Sequence, residues 1–298
     1  MRVFVTGSSG WIGSAVVDEL LAHGHQVLGL VRSDAAAEVV AANGADVLRG
    51  DLDDLDSLRR GAAQTDGTIH LANKHDWSDP AASNRAERAS IEALAETLAG
   101  TGRPLVVSSG VAGLAPGRPA TENDANPSVG PDAPRGGGEN RAFDFAGQGV
   151  RAIAARFAPT VHGIGDHGFV ALIAQAARRT GVSAYVGDGE HAWAAVHRGD
   201  AARLVRLGLE SAPAGTRLHA VGEEAIPTRL IAEAIGERLG LPVAAIAPDE
   251  AIGHFGFVGR FFAMDLSASS AITRAALGWA PGGPTLLEDI AAGGYDPA

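Results

Sequence analysis

The 298-residue chain has no cysteine, a single lysine and only two tyrosines. The first absence removes disulfides, thiolate nucleophiles and cysteine-ligated zinc together. Basic runs are also missing, and the formal net charge is -11. An acidic balance without a block of Lys or Arg speaks against nucleic acid or an anionic membrane as partner, leaving room only for a local basic pocket. No apolar run is long enough to span a bilayer, and the opening residues read as a strand rather than a secretory leader. The expectation is a cytoplasmic protein, monomer or homodimer, that acts on a small-molecule substrate, with no nucleic acid and no membrane as partner. Internal repeats and low-complexity tails are lacking as well. What is present is a globular composition, 46% hydrophobic and 20% charged, in a length that holds one large α/β domain and a smaller lobe.

The stretch from Arg2 to Gly13 organises the rest. Val3, Phe4 and Val5 read as a buried strand, a glycine cluster turns the chain, and Ile12 to Leu21 follow as an apolar-periodic helix. Gly7 suits the tight turn, Gly10 lets backbone approach a ligand, and Gly13 lets the helix pack close to the strand. The N–H groups at the helix start then face a pyrophosphate with a partial positive charge.

The spacing Gly-x-x-Gly-x-x-Gly after Thr6 resembles the nucleotide loop of the extended and atypical short-chain dehydrogenase/reductase families. The resemblance implies a nicotinamide dinucleotide held by Gly7, Ser9, Gly10, Trp11, Ile12 and Gly13. It implies a Rossmann-type α/β fold, a doubly wound parallel sheet with a smaller C-terminal substrate lobe. The expected division is a cofactor domain over residues 1–162, completed by about 190–221, and a substrate lobe over 163–189 and 222–298.

Further along, the strand His25 to Val31 ends at Arg32-Ser33, where an acidic residue would bind the 2′-hydroxyl of NAD. A guanidinium with a neighbouring hydroxyl suits a 2′-phosphate instead, so Arg32 and Ser33 favour NADP. Asp51, with Leu52, stands where related families set an aspartate against the adenine amine; the plainer alternative is that Asp51 caps the next helix, around Ser57 to Ala63. A strand from Gly67 runs to Asn73 and carries Leu71, Ala72 and Asn73 to the cleft beyond the strand ends. Lys74, the sole lysine, and His75 follow as candidate proton donors or anion anchors, against the alternative of a solvated loop.

After a long amphipathic helix, roughly Pro80 to Ala99, the strand Pro104 to Gly110 corresponds to the family strand that ends in the substrate-binding serine. Ser109 is the candidate, although one register puts Gly110 in that place; simple closure of backbone hydrogen bonds is the alternative role. The family's catalytic tyrosine and lysine are missing. Arg135 and Glu139 stand at their positions, and an arginine scarcely loses its proton, so it cannot readily act as a general acid. This departure fits the atypical branch, and Gly136 to Gly138 suggest a mobile lid. Pro159, Thr160 and Val161 resemble the segment behind the nicotinamide, with backbone groups holding its carboxamide. His162 and His167 are candidate proton donors; their spacing gives no metal site. Asp200 is read as the cap of the following helix, and Phe255, Phe257, Phe261, Phe262 and Trp193 as either pocket lining or ordinary core.

The leading expectation is an NADPH-dependent oxidoreductase reducing a small carbonyl compound without the Tyr-Lys pair. Its rivals are a cofactor-binding redox sensor of little turnover and a nucleotide-sugar epimerase or dehydratase. A serine hydrolase is disfavoured because Ser109 lacks the glycine flanks of a nucleophile elbow.

Overall fold

In the computed structural model, which describes residues 1–74, 76 and 78–296, the first half of the chain alternates strand and helix. The order is β1 (Arg2–Thr6), α1 (Trp11–Ala22), β2 (Gln26–Val31), α2 (Asp34–Ala42), β3 (Asp46–Arg49), α3 (Leu55–Ala63), β4 (Gly67–His70), α4 (Pro80–Leu98) and β5 (Pro104–Gly110). A 3-10 turn at Pro134–Gly137 leads into α5 (Gly138–Asp144), then β6 (Arg151–Phe157) and β7 (Thr160–His162). The remainder is α6 (Phe169–Thr180), β8 (Ser183–Val186), β9 (Ala192–His197), α7 (Arg198–Ser211), β10 (Thr216–Ala220), β11 (Glu223–Pro227), α8 (Thr228–Leu239) and β12 (Val243–Ile246). Short helices α9 (Ala251–Phe255), α10 (Gly259–Phe262), α11 (Ala271–Leu277) and α12 (Leu286–Ala291) close the chain.

Seven strands form one parallel sheet in the order β10-β6-β5-β4-β1-β2-β3. The order reverses between β1 and β4, and ligands of open parallel sheets sit at such a switch point, beyond the carboxyl ends of the strands. Alternation within β1 shows why both faces need helices. Val3 and Val5 pack with Val16, Val17 and Leu20 of α1 and Leu204, Val205 and Leu209 of α7. Phe4 points the other way, to Leu58 of α3 and Ile91, Leu94 and Leu98 of α4. Burying each such side chain fully contributes about 1.5–3 kcal/mol. The helices start where short polar side chains offer an acceptor: Ser33 for α2, Asp54 for α3 and Asp79 for α4.

A third apolar cluster builds the smaller C-terminal part, from Ile173 and Val170 of α6 to Trp193, Phe262 and Leu286. Here β11, β9 and β7 form a second sheet and β12 pairs with β8. Trp193 and Phe262 are fully buried and Phe255 is buried beside them, so among the five aromatics weighed as pocket lining these three are core.

Three local readings change. The fourth strand stops at His70, because the Thr6 hydroxyl meets His70 Nδ1 at 2.8 Å and accepts the Ala72 N–H at 3.2 Å, replacing the ladder. Asp54 rather than Asp51 caps α3. Asp200 lies inside the first turn of α7, whose cap is His197; its carboxylate accepts the N–H groups of Gly282 and Gly283 and so clasps the C-terminal segment.

Gly61 lets α3 lie directly on Phe4, since a Cβ there would fall 2.3 Å from the ring. Gly61→Ala should therefore destabilise the protein by about 1–3 kcal/mol, overriding the roughly 1 kcal/mol that alanine gains over glycine in a helix. Urea denaturation measures the difference, and an unchanged or raised midpoint would contradict this packing.

Candidate functional site: the cleft beyond the sheet

A cavity of about 750 Å³ opens beyond the carboxyl ends of the central strands. Its floor is the turn between β1 and α1. Gly7 has φ +70°, and a Cβ on it would lie 2.9 Å from the Ala72 nitrogen. A Cβ on Gly13 would lie 1.9 Å from the Gly7 carbonyl oxygen, so only glycine lets α1 begin this close to the strand. The N-cap of α1 is Gly10, with no side-chain cap and no acidic residue in the first turn. The helix-start N–H groups are therefore left for a ligand.

Gly7, Ser9, Gly10, Trp11, Ile12 and Gly13 all line this cavity. So do Arg32, Asp51 and Leu52 on one side, and Leu71, Ala72, Asn73 and Lys74 along the next. Ser109, Pro159, Thr160 and Val161 line the far wall. Ser33 does not stand among the lining residues; its hydroxyl accepts the Ala36 N–H at 3.3 Å, as the cap of α2. Arg32 is exposed and makes no ion pair among the described residues. His75 lies outside the described residues.

Several side chains have commitments that the sequence did not reveal. Lys74 Nζ donates to both carboxylate oxygens of Asp53 at 2.7 Å, tying the loop after β4 to the loop after β3. Asp51 Oδ1 accepts the backbone N–H groups of Asp53 and Asp54, which folds that loop while leaving Asp51 on the cavity wall. The Val161 carbonyl accepts the Trp11 indole N–H at 2.6 Å, which fixes the position of this segment against α1 and commits one of its two lone pairs. Trp11 is further held by Arg198, whose guanidinium lies 4.3 Å from the ring centroid, and by the edge of His167.

Arg135 and Glu139, expected from the sequence at the family's tyrosine and lysine positions, diverge in role. Glu139 is buried and accepts three hydrogen bonds from Arg156 on β6, the shortest at 2.6 Å. Burial by itself would raise the Glu139 carboxyl, yet Arg156, with Ser109 and Asn126, holds it below the usual carboxylate range. Asn126 bridges Glu139 Oε2 and Ser109 Oγ, at 3.2 and 3.4 Å. The Ser109 hydroxyl thus belongs to a polar network reaching down to Glu139. Arg135 instead faces the cavity, donating to Glu87 at 2.7 Å and to Ser108 Oγ at 3.0 Å.

The glycines beside Arg135 do not form a lid. Arg135, Gly136 and Gly137 all take positive φ, and the turn is docked on α4 through Asn84, which accepts the Arg135 N–H, and Arg88, which donates to the Gly136 carbonyl. A Cβ on Gly136 would lie 2.2 Å from the Asn84 carbonyl oxygen, so this segment is fitted to the helix beneath it.

The two candidate histidines also separate. His162 is fully buried, its Nδ1 2.6 Å from Asp289 and its Nε2 3.6 Å from Glu223. Burial opposes its charge, but the two carboxylates outweigh that and raise its pKa. It is tied to these carboxylates in the interior and does not line the cavity. His167 does line the cavity, next to Asp166, whose carboxyl is raised chiefly by burial and accepts the Tyr295 hydroxyl at 2.9 Å. Of the C-terminal aromatics weighed above, Phe257 lines the cavity, packed near Phe169.

Sequence reasoning missed Glu87 and Asp166. Glu87 had a legible signal: with Ile91, Leu94 and Leu98 it falls on the helical spacing of the buried face of α4, where a carboxylate requires a partner. Asp166 had none, because its partner Tyr295 is distant in sequence. Among the described residues no cluster of His, Cys, Asp and Glu forms a metal site, and no helix is long and apolar enough to cross a membrane.

Sheet order, glycine turn and switch-point cavity together define a Rossmann-type nucleotide-binding protein. The chain belongs to the NAD dependent epimerase/dehydratase family, whose profile matches residues 3–221. It is 47% identical over 296 residues to the uncharacterised protein C2A9.02 of Schizosaccharomyces pombe, covering 99% of this chain and 100% of that one. It is 29% identical over 225 residues to 4-hydroxy-2-methyl-3-oxo-4-farnesyl-3,4-dihydroquinoline-1-oxide ketoreductase of Stigmatella aurantiaca, covering 72% of this chain and 66% of that one. Among solved structures, the Thermus thermophilus UDP-glucose 4-epimerase complex with NAD superposes with a TM-score of 0.76 at 24% identity, covering 98% and 97% of the two chains. That likeness is one of fold.

Glu139→Gln should cost about 3–5 kcal/mol at neutral pH, since it leaves Arg156 buried without its countercharge. Because the folded-state pKa of Glu139 is depressed, its contribution is present above the unfolded value of about 4.3 and is lost as pH falls towards the folded one. Denaturation midpoints of the two proteins between pH 3 and 7 should therefore converge on the acid side; a constant gap would contradict the assignment.

Proposed function

We propose that the protein is an NADPH-dependent oxidoreductase that reduces a small carbonyl compound. The observation that carries the cofactor choice is Arg32, exposed at the end of β2, lining the cavity and without an ion pair among the described residues. Supporting the reaction class are the family and the likeness to a ketoreductase.

The residues present fit the dinucleotide: the uncapped start of α1 would meet the linking phosphates, and the missing Cβ of Gly13 lets that helix start close against the turn at Gly7. Asp51 and Leu52 border the adenine, Leu71 to Asn73 the ribose and phosphate side, and Pro159 to Val161 the nicotinamide. When bound, the reduced cofactor supplies a hydride to the carbonyl carbon. The end of β5, at Ser108 and Ser109, borders the substrate oxygen. Phe169, Leu172 and Phe257 give that end of the cavity an apolar wall, which excludes water and strengthens the polar contacts made there.

Lys74 and His75 are the remaining side chains proposed for proton transfer. Lys74 is bound to Asp53, so it acts only if a ligand breaks that pair. A solvent water is the simpler source of the proton.

Calorimetric titration should find NADPH bound more tightly than NADH, and Arg32→Ala should weaken NADPH by about 10- to 100-fold, the loss of about 1.5–3 kcal/mol expected for a hydrogen bond to a charged group, while leaving NADH unchanged. Equal affinities in the wild type would overturn the cofactor assignment. NADPH oxidation over a panel of aldehydes and ketones tests the reaction; tight binding without oxidation of NADPH by any of them would favour the redox-sensor reading instead.

A further inference from the structure

We propose that Arg135 is the group that polarises the substrate oxygen in this cavity, a fixed cation standing where the family carries a phenol. The inference rests on the carbonyl-reduction reading above and adds the residue that stabilises the developing charge.

Four observations converge on the side chain. Arg135 lines the cavity beside Ser108 and Ser109. It is the one residue other than glycine with positive φ among the described residues, at 54°. A backbone held in that region is strained and persists where the surroundings over-determine it, as happens at functional sites. The surroundings are explicit here: Asn84 holds its N–H, Arg88 holds the next carbonyl, and Gly136 fits against α4. Finally, the buried carboxylate of Glu87 fixes the guanidinium from behind, and Glu87 is itself bound by Asn73 on the other side.

The commitments of the neighbouring groups assign the role by chemistry. The Ser109 hydroxyl is engaged by Asn126 and Glu139. Ser108 Oγ accepts from Arg135 and keeps its own proton to donate. One terminal nitrogen of Arg135 serves both protein acceptors, Glu87 and Ser108, and Nε is buried, which leaves the two N–H donors of the other terminal nitrogen for a ligand. In the balanced step, the carbonyl carbon gains a hydride as the nicotinamide is oxidised. The C=O π pair moves to oxygen, where Arg135 and Ser108 donate hydrogen bonds to it. A solvent water then protonates that oxygen, its hydroxide returning to bulk solvent, and the alcohol leaves. Arginine keeps its proton throughout, so it is an electrophilic clamp and not the acid.

The test uses 4-dimethylaminocinnamaldehyde, whose absorption moves to the red when its carbonyl oxygen is polarised. Titrated into the wild-type protein with NADP, it should show a red shift. Arg135→Asn, which tolerates positive φ, should abolish the shift, and Arg135→Lys, which keeps a cation beside Glu87, should keep part of it. Quenching of tryptophan fluorescence by NADPH confirms that each variant is folded and binds cofactor. If NADPH then reduces the aldehyde, kcat should fall about 100-fold in Arg135→Asn with a smaller change in KM. No red shift in the wild type, or an equal shift in Arg135→Asn, overturns the proposal. A red shift dependent on Arg135 but without NADPH oxidation supports the clamp and counts against the proposed reaction.

Discussion

The contact between Gly13 and the Gly7 carbonyl is the constraint on which the site depends. With no Cβ between them, α1 starts almost on top of the strand it follows, and its unsatisfied N–H groups open into the cleft rather than into protein. Everything else around the cavity is arranged relative to that corner. Thr6 binds His70 and Ala72, which draws the end of β4 against the turn. Trp11, one residue into the helix, reaches across to Val161 and fastens the wall opposite. A substitution at either glycine would therefore alter the site before it altered the sheet, because the sheet's own packing, on Phe4 and on Val3 and Val5, lies behind the turn.

How far the sequence revealed this follows from the range of each interaction. The doubly wound sheet and the turn were legible because strand alternation, helix periodicity and glycine spacing are local properties. The cavity-lining segments were legible for a related reason: in such a sheet the residues just past each strand must face one side, so Arg32, Asp51, Ala72 and Ser109 follow from the strand ends alone. What those side chains bind was not legible. Lys74 has its carboxylate in another loop, at Asp53, and Ser33 turned to cap its own helix. His162, read as a proton donor, sits against Asp289 on the last helix. Partners so far apart in the chain meet only through the tertiary fold.

Glycine was misread in one place for a physical reason. Gly136 to Gly138 carry the low helix propensity that ordinarily marks a loose segment. In the structure Gly136 and Gly137 supply positive φ, Gly136 and Gly138 lie close against α4, and Gly138 begins a helix. Conformational freedom in the unfolded chain and a fixed, tight conformation in the folded one are both consequences of a missing Cβ, so composition alone does not separate them.

If Arg135 and Glu139 stand at the family's tyrosine and lysine positions, as the resemblance implies, the exchange is better understood as two separate changes. A lysine at position 139 would put a second cation beside Arg156, which is buried and needs a carboxylate. Glu139 satisfies that need and, through Asn126, engages the hydroxyl of Ser109. With that hydroxyl drawn down into the network, the strand end presents fewer donors to a ligand. The guanidinium of Arg135, carried by a strained turn and backed by Glu87, restores donor capacity at the same wall. The two substitutions are thus complementary. Placing an acid at 139 settles the charge of the buried Arg156, and placing an arginine at 135 sets guanidinium donors on the cavity wall, backed by the carboxylate of Glu87.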